Sequence, residues 1–168
     1  METKRLIIRS FIESDLSDLY EYLSDSLVVK YEPYKAKSYD EVKTELTYRI
    51  QQSEMQAVIL KEENKLIGNI YLGKRDFNTY ELGYVFNRKY WHRGFAKEAC
   101  IALIEQLFKN GVHRIYAECD PQNVASWSLL ESLGFKREAY LTKNVYFWCD
   151  ENGNPIWKDT FIYSLLNE

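Results

Sequence analysis

The chain has 168 residues, a net charge of −3 and 26 aromatic residues spread along it. That length fits one domain with a core of its own, and the aromatic content excludes a disordered chain. The mildly acidic balance argues against a protein that coats nucleic acid or an anionic membrane.

In chain order, Lys4–Ile12 alternates as a first strand. Ser14-Asp15 opens a helix, and Leu16, Leu19, Tyr20 and Leu23 recur at i, i+3, i+4, i+7. A loop carrying Tyr31, Glu32 and Tyr34 follows. Ser38 with Glu41 forms a capping box for a second helix, whose apolar face is Val42, Leu46 and Ile50. From Ala57 the period becomes two. Ala57–Leu60 and Leu66–Leu72 read as a hairpin across Lys61–Lys65. After a turn at Arg75–Thr79, strand Tyr80–Phe86 puts Leu82, Tyr84 and Phe86 on one face and Glu81, Gly83 and Val85 on the other.

The strongest helical pattern runs through Ala96, Ala99, Cys100, Leu103, Ile104, Leu107 and Phe108 and stops at Asn110-Gly111. Val112–Cys119 is a strand, and Val124–Leu133 a short helix closed by Gly134. Strands at Lys143–Cys149 and Ile156–Leu166 flank a turn at Asp150–Asn154. No linker divides the chain. The expectation is one α/β (α+β) domain over residues 1–168, with a mixed sheet. The strands on either side of the long helix should run parallel.

Cys100, Cys119 and Cys149 cannot all pair, and no C-x-x-C occurs. With only His92 and His113 besides, no metal site is expected. Three free thiols, no apolar leader at the N-terminus and no apolar run of membrane-spanning length point to the cytoplasm, with no membrane or nucleic-acid partner.

The turn Asn87–Ala96 enters the long helix through Gly94. Free N–H groups and the positive end of the helix dipole meet there, which favours an anion such as a phosphate. Arg88, Lys89 and Arg93 add local positive charge. Neither a P-loop nor a G-x-G-x-x-G occurs.

Trp91-His92-Arg93-Gly94-Phe95-Ala96 resembles the pyrophosphate loop of the GNAT superfamily of N-acetyltransferases, patterned Gln/Arg-x-x-Gly-x-Gly/Ala. Lys4–Arg9, Glu81–Phe86, Lys97-Glu98-Ala99, Asn123-Val124-Ala125-Ser126, Leu133-Gly134-Phe135 and Asp159–Leu166 resemble its subgroup that acetylates ribosomal-protein N-termini (RimJ/RimL-like). Their order and spacing cover the chain. Trp91 stands where the superfamily has Gln or Arg, and His92 where Gly is frequent. Leu130 stands where many members carry a tyrosine acid.

The resemblance implies a twisted, mostly antiparallel sheet of six to seven strands flanked by about four helices. It implies acetyl-CoA as donor, no metal, a primary amine as acceptor (a protein N-terminus or a small amine), and a monomer or homodimer. It places the pyrophosphate on the backbone of Trp91, His92, Arg93, Gly94, Phe95 and Ala96. Pantetheine would run along Tyr84, Val85 and Phe86, with Asn123 and Ser126 beyond. Ser126 is the candidate proton donor to the thiolate. Glu81 is the leading base, with a structural carboxylate that anchors a neighbouring strand or a backbone N–H as its alternative, and Asp159 is a weaker second candidate. Tyr31, Glu32 and Tyr34 are candidate acceptor contacts, with Glu32 suited to a cationic amine. Covalent catalysis through Cys119 would need a base partner such as His113, six residues back along the same strand. A CoA-binding module without catalysis is the alternative function.

Overall fold

The computed structural model describes residues 1–167. Seven strands form one sheet: β1 (Leu6–Arg9), β2 (Met55–Leu60), β3 (Lys65–Arg75), β4 (Thr79–Phe86), β5 (Arg114–Cys119), β6 (Lys136–Cys149) and β7 (Pro155–Leu166). Four helices complete it: α1 (Leu16–Leu23), α2 (Tyr39–Ile50), α3 (Phe95–Lys109) and α4 (Val124–Ser132). The sheet order is β1-β2-β3-β4-β5-β7-β6. Every neighbouring pair is antiparallel except β4–β5, which is parallel across the α3 crossover. The expected fold class, strand number and helix number all hold.

Two apolar layers sandwich the sheet. One packs α3 and Leu130 of α4 against Leu82 and Phe86. The other packs α1 and α2 against Val85. The alternation read along β4 is therefore real: Leu82 and Phe86 enter one core and Val85 the other. Gly68 permits the close β3–β4 approach beneath them. A Cβ there would stand 2.6 Å from the Phe86 ring and 2.7 Å from the Val85 carbonyl.

Three local expectations are corrected. Ile50 does not face the core; it is 37% exposed, and Arg49 takes the inward position at 2%. The α2 face is thus closed by a charged group with internal partners instead of by an aliphatic one. Strand β6 begins at Lys136, seven residues before the expected Lys143. Its first half is held by pairing with β7 at the sheet edge, with most side chains in solvent, so it carries little hydrophobic alternation. The first strand is shorter than Lys4–Ile12, at Leu6–Arg9. The Ser38–Glu41 capping box forms as read.

The feature that positions the site lies between β4 and β5. They pair only where Thr79–Glu81 meets Arg114–Tyr116. Beyond that, β5 continues to pair with β7 through Cys119. The β5-facing edge of β4 from Leu82 to Phe86 is left without a strand partner.

Candidate active site

The unpaired edge of β4 opens onto a cleft of about 680 Å³. Tyr84, Val85 and Phe86 form one wall and Asn123 and Ser126 another. Trp91, His92, Gly94, Phe95 and Ala96 form the end at α3, and Tyr31 and Glu32 lie along its mouth. Residues far apart in sequence and assigned to different parts of one ligand thus share one cavity. Arg93, Tyr34 and Glu81 do not line it.

The α3 end is a turn built around left-handed backbone. His92 has φ of 57° and Gly94, the N-cap, φ of 78°. Gly94 adopts that conformation without strain; His92 does so as a side-chain-bearing residue. The first internal helix bond runs from the Glu98 N–H to the Gly94 carbonyl at 3.0 Å. Among the described residues, the Phe95, Ala96 and Lys97 N–H groups have no backbone acceptor. Three donors at the positive end of a 15-residue helix suit a pyrophosphate.

The turn is clamped from both sides. The Trp91 indole Nε1 donates to the Phe86 carbonyl at 2.8 Å. Arg5 donates to Glu98 from its backbone N–H at 2.8 Å and from Nε at 2.6 Å, and from Nη1 to the Arg93 carbonyl at 3.0 Å. Phe95 is buried under the Arg5 and Arg93 guanidinium groups, 4.3 and 5.0 Å from its ring centroid. Its contribution to the cleft is therefore made by its backbone.

The expected basic cluster is largely neutralised. Arg88 pairs with Asp25 at 2.8 Å and Lys89 with Glu21 at 2.9 Å. Arg93 lies outside the cleft, over the Tyr90 and Phe95 rings. Lys97, which sequence reading missed, lines the cleft at the α3 end. It occupies the helix's first turn, so its position near an anion site was inferable.

On the α4 side, Asn123 caps the helix, its Oδ1 accepting from the Ser126 N–H at 3.2 Å. The Tyr84 hydroxyl donates to the Ser126 carbonyl at 3.0 Å and lies 3.1 Å from Ser126 Oγ. Burial pushes the Tyr84 phenol well above its ordinary range, so it remains a neutral donor. Leu130, the position of the superfamily tyrosine, is fully buried one turn further along α4. A tyrosine oxygen thus reaches this wall from β4 instead of from α4. No motif in the sequence signalled it.

The carboxylates fall into place differently from expectation. Glu81 stands where β4 and β5 still pair. Its Oε2 takes the Arg75 guanidinium and accepts from the Tyr116 hydroxyl at 3.2 Å. A carboxylate held by a guanidinium outside the cleft is poorly placed to receive a substrate proton. Asp159 accepts from the Tyr140 hydroxyl and, at 2.7 Å, from the Lys143 N–H. Both bonds hold it below the usual carboxylate range, and it fastens the β6–β7 hairpin. Glu118, absent from the sequence reading, lies on β5 two residues beyond Tyr116. Burial and then Glu81 raise its carboxyl above the ordinary value.

Glu32 is the carboxyl that lines the cleft. Burial raises it, Tyr34 and Arg49 partly offset that, and the result is about 7. Tyr34 turns away from the cleft and packs on the α1–α2 core. Cys119 is buried beside Ser126. Burial and then Asp120 push its thiol up to about 11, which favours the protonated form at neutral pH. Among the described residues no cluster of metal-ligating side chains occurs, and no helix is long and apolar enough to cross a membrane.

Comparison with known proteins agrees with this geometry. The family model described as an acetyltransferase (GNAT) domain matches residues 5–136. The uncharacterized N-acetyltransferase YnaD of Bacillus subtilis is 38% identical over 172 residues, spanning 99% of this chain and 96% of that protein. The crystal structure of a GNAT-family acetyltransferase from Bacillus anthracis superposes with a TM-score of 0.88 at 36% identity, covering 99% and 98% of the two chains. The ribosomal-protein-S5-alanine acetyltransferase of Vibrio fischeri shares the fold, with a TM-score of 0.77 at 23% identity over 100% and 96%. The N–H-lined turn at α3, the free β4 edge and these likenesses together make the chain a member of the GNAT family of acetyltransferases.

Proposed function

We propose that this acetyltransferase moves the acetyl group of acetyl-CoA directly to a primary amine within a ternary complex. The observation that carries this reading is the meeting, in one cleft, of the anion-binding turn at Gly94 and the unpaired β4 edge at Tyr84–Phe86. GNAT acetyltransferases use acetyl-CoA, and this donor needs both features. Its pyrophosphate takes backbone N–H groups and its pantetheine amides take a strand edge. The Val85 and Phe86 side chains are buried on opposite faces of the sheet. What they offer the pantetheine is backbone, and a β4 N–H is the donor assigned to the tetrahedral oxyanion.

The departing thiolate must gain a proton. Ser126 Oγ, 3.1 Å from the Tyr84 hydroxyl, is assigned as its donor, with Tyr84 fixing the serine rotamer. Direct transfer is supported by the cleft lining, which includes no cysteine to carry the acetyl group. Protein N-termini are one acceptor class, supported by the sequence likeness to the ribosomal-protein subgroup. Small amines are the other.

The test is thiol release from acetyl-CoA against a panel of amines that includes free-N-terminus peptides and polyamines. Acetylated product on at least one acceptor supports the reading. Acetyl-CoA binding without turnover on any of them refutes it in favour of a non-catalytic CoA module.

A further inference from the structure

The α1–α2 connection, residues 24–38, crosses the mouth of the cleft and is pinned at both sides. At one side Asp25 pairs with Arg88. At the other the Tyr31 hydroxyl donates to the Gln122 carbonyl at 3.1 Å, beside the Asp120–Lys158 ion pair of 2.8 Å. Directly after the Tyr31 anchor, Glu32 lines the cleft. Behind it lies a buried polar cluster. Asn69 Oδ1 accepts from the Tyr22 hydroxyl and from Arg49 Nη1, both at 2.9 Å. Asn69 is the cross-strand partner of Val85. The cluster that backs Glu32 is therefore anchored under the stretch of β4 whose edge is free.

Glu118 also lacks an ion-pair partner but lies outside the cleft lining, and the other carboxylates nearby are committed. Glu81 is held by Arg75, Glu45 by Arg49 and Lys37, Asp120 by Lys158 and Asp25 by Arg88. Among the described residues Glu32 forms no ion pair. We propose that Glu32, and not Glu81, is the base that takes the proton from the acceptor's ammonium, and that the enzyme selects cationic primary amines through it. The assignment rests on the acetyl-transfer reading above.

The groups that face this carboxyl set its proton affinity. Burial is the largest influence and raises it. Tyr34 on its own loop and Arg49 from α2 lower it, and the balance is about 7. From α1 comes Tyr22, neutral because its phenol is pushed up by burial. Glu45 on α2 is screened by Arg49 at 2.8 Å. Lys30 on the loop and His92 and Lys97 across the cleft are the remaining groups able to carry charge. A base half-ionised near neutral pH can take a proton and return it to solvent within one cycle.

The step balances. Glu32 carboxylate takes one of the three ammonium protons. The freed nitrogen lone pair forms the C–N bond to the acetyl carbon, and the C–S bond breaks with its electron pair on sulfur. The nitrogen sheds a second proton, which reaches the sulfur through Ser126 Oγ. One N–H remains in the amide, and Glu32 gives its proton to water.

The experiment uses the full chain labelled with ¹³C at the Glu carboxyls, with E32Q to assign the signal. Turnover is read with spermidine and a Ser-Ala-Ala peptide. One carboxyl signal should titrate near pH 7 and vanish in E32Q. The wild-type kcat/KM should fall below the same midpoint. E32Q should lose on the order of 100-fold or more in kcat/KM and keep the wild-type melting shift with acetyl-CoA, while E32D recovers part of the loss. A Glu32 signal titrating in the ordinary range near 4.3 overturns the assignment. So does E32Q turnover within threefold of wild type, or a loss confined to E81Q. A wild-type protein that melts higher with acetyl-CoA yet acetylates neither acceptor, nor any other amine of the panel above, sinks the transfer reading itself, and the assignment with it.

Discussion

Arg49→Met tests how far the buried polar cluster holds the acceptor side together. The substitution keeps an unbranched apolar stem at a site 2% exposed. It removes the Nε bond to Glu45 at 2.8 Å, the Nη1 bond to Asn69 at 2.9 Å and the stacking of the guanidinium 5.4 Å from the Phe11 ring centroid. Deleting one partner of a buried ion pair costs about 3–5 kcal/mol. The lower end applies here for two reasons. The Glu45 side chain is 24% exposed and retains Lys37 at 3.3 Å, and Asn69 retains Tyr22. An unfolding entropy of about 2.1 cal/mol/K per residue converts roughly 3 kcal/mol into a Tm drop of about 9 °C for a chain of this length. Calorimetry at pH 7 reads it directly. Arg49→Lys should fall between the two, because it keeps the charge and loses the paired geometry. The variant should also move the pH profile. Arg49 lowers the Glu32 carboxyl, so its loss should shift the acid side of kcat/KM to higher pH. A Tm drop under about 3 °C, with no shift of the profile, would refute the account of Arg49 as the group that ties α2 to β3 and tunes Glu32.

Acetyl-CoA at about 100 times its Kd should stabilise the fold by roughly 2.7 kcal/mol, or about 8 °C in Tm; an unchanged scanning-fluorimetry midpoint at millimolar ligand would count against the cleft as its site. Leu130→Tyr, which restores the superfamily residue, should destabilise the fold by the ~1–3 kcal/mol typical of overpacking, about 3–9 °C in Tm, and bring no gain in turnover, because position 130 is sealed in the core; a rise in kcat would refute that. Glu21 is raised by burial, but its bonds to Lys65, Lys89 and Asn87 outweigh this and bring it to about 2. A carboxyl lowered by folding stabilises above its unfolded value and loses that stabilisation as pH falls through the folded one. Between about pH 5 and 2 the wild type should therefore lose more Tm than Glu21→Gln, and parallel curves would remove Glu21 from the acid response.

The parts of the fold that were legible are those where one face is buried. β4 and α3 each bury a stripe with a clean period, so both their type and their inward residues could be read. The first half of β6 has no such stripe. It sits at the sheet edge, its pairing with β7 supplies the order, and Lys136–Leu141 offers a reader only charged and mixed residues. Ile50 shows the converse failure. Periodicity assigned an aliphatic residue inward, and the adjacent Arg49 won because Glu45, Asn69 and Phe11 were all waiting inside.

The donor side of the site was legible for a physical reason that does not extend to the acceptor side. A pyrophosphate turn and a strand edge act through backbone, and backbone geometry follows from a local run such as Trp91–Ala96. The electrostatics depend on distant partners. Arg88 and Lys89 look like free cations in sequence, but Asp25 and Glu21, more than 60 residues earlier, neutralise them. Glu81 is a more instructive case, because its partner was within reach. In the β3–β4 hairpin Arg75 pairs with Thr79 and Gly73 with Glu81, which makes Arg75 and Glu81 diagonal neighbours on one face. Reading the register as well as the alternation exposes that ion pair and weakens Glu81 as a base. Nothing local does the same for Glu32. Its proton affinity is set by burial within a loop pinned at Arg88 and Gln122 and by an arginine on α2, so its chemistry exists only once the tertiary structure has closed around it.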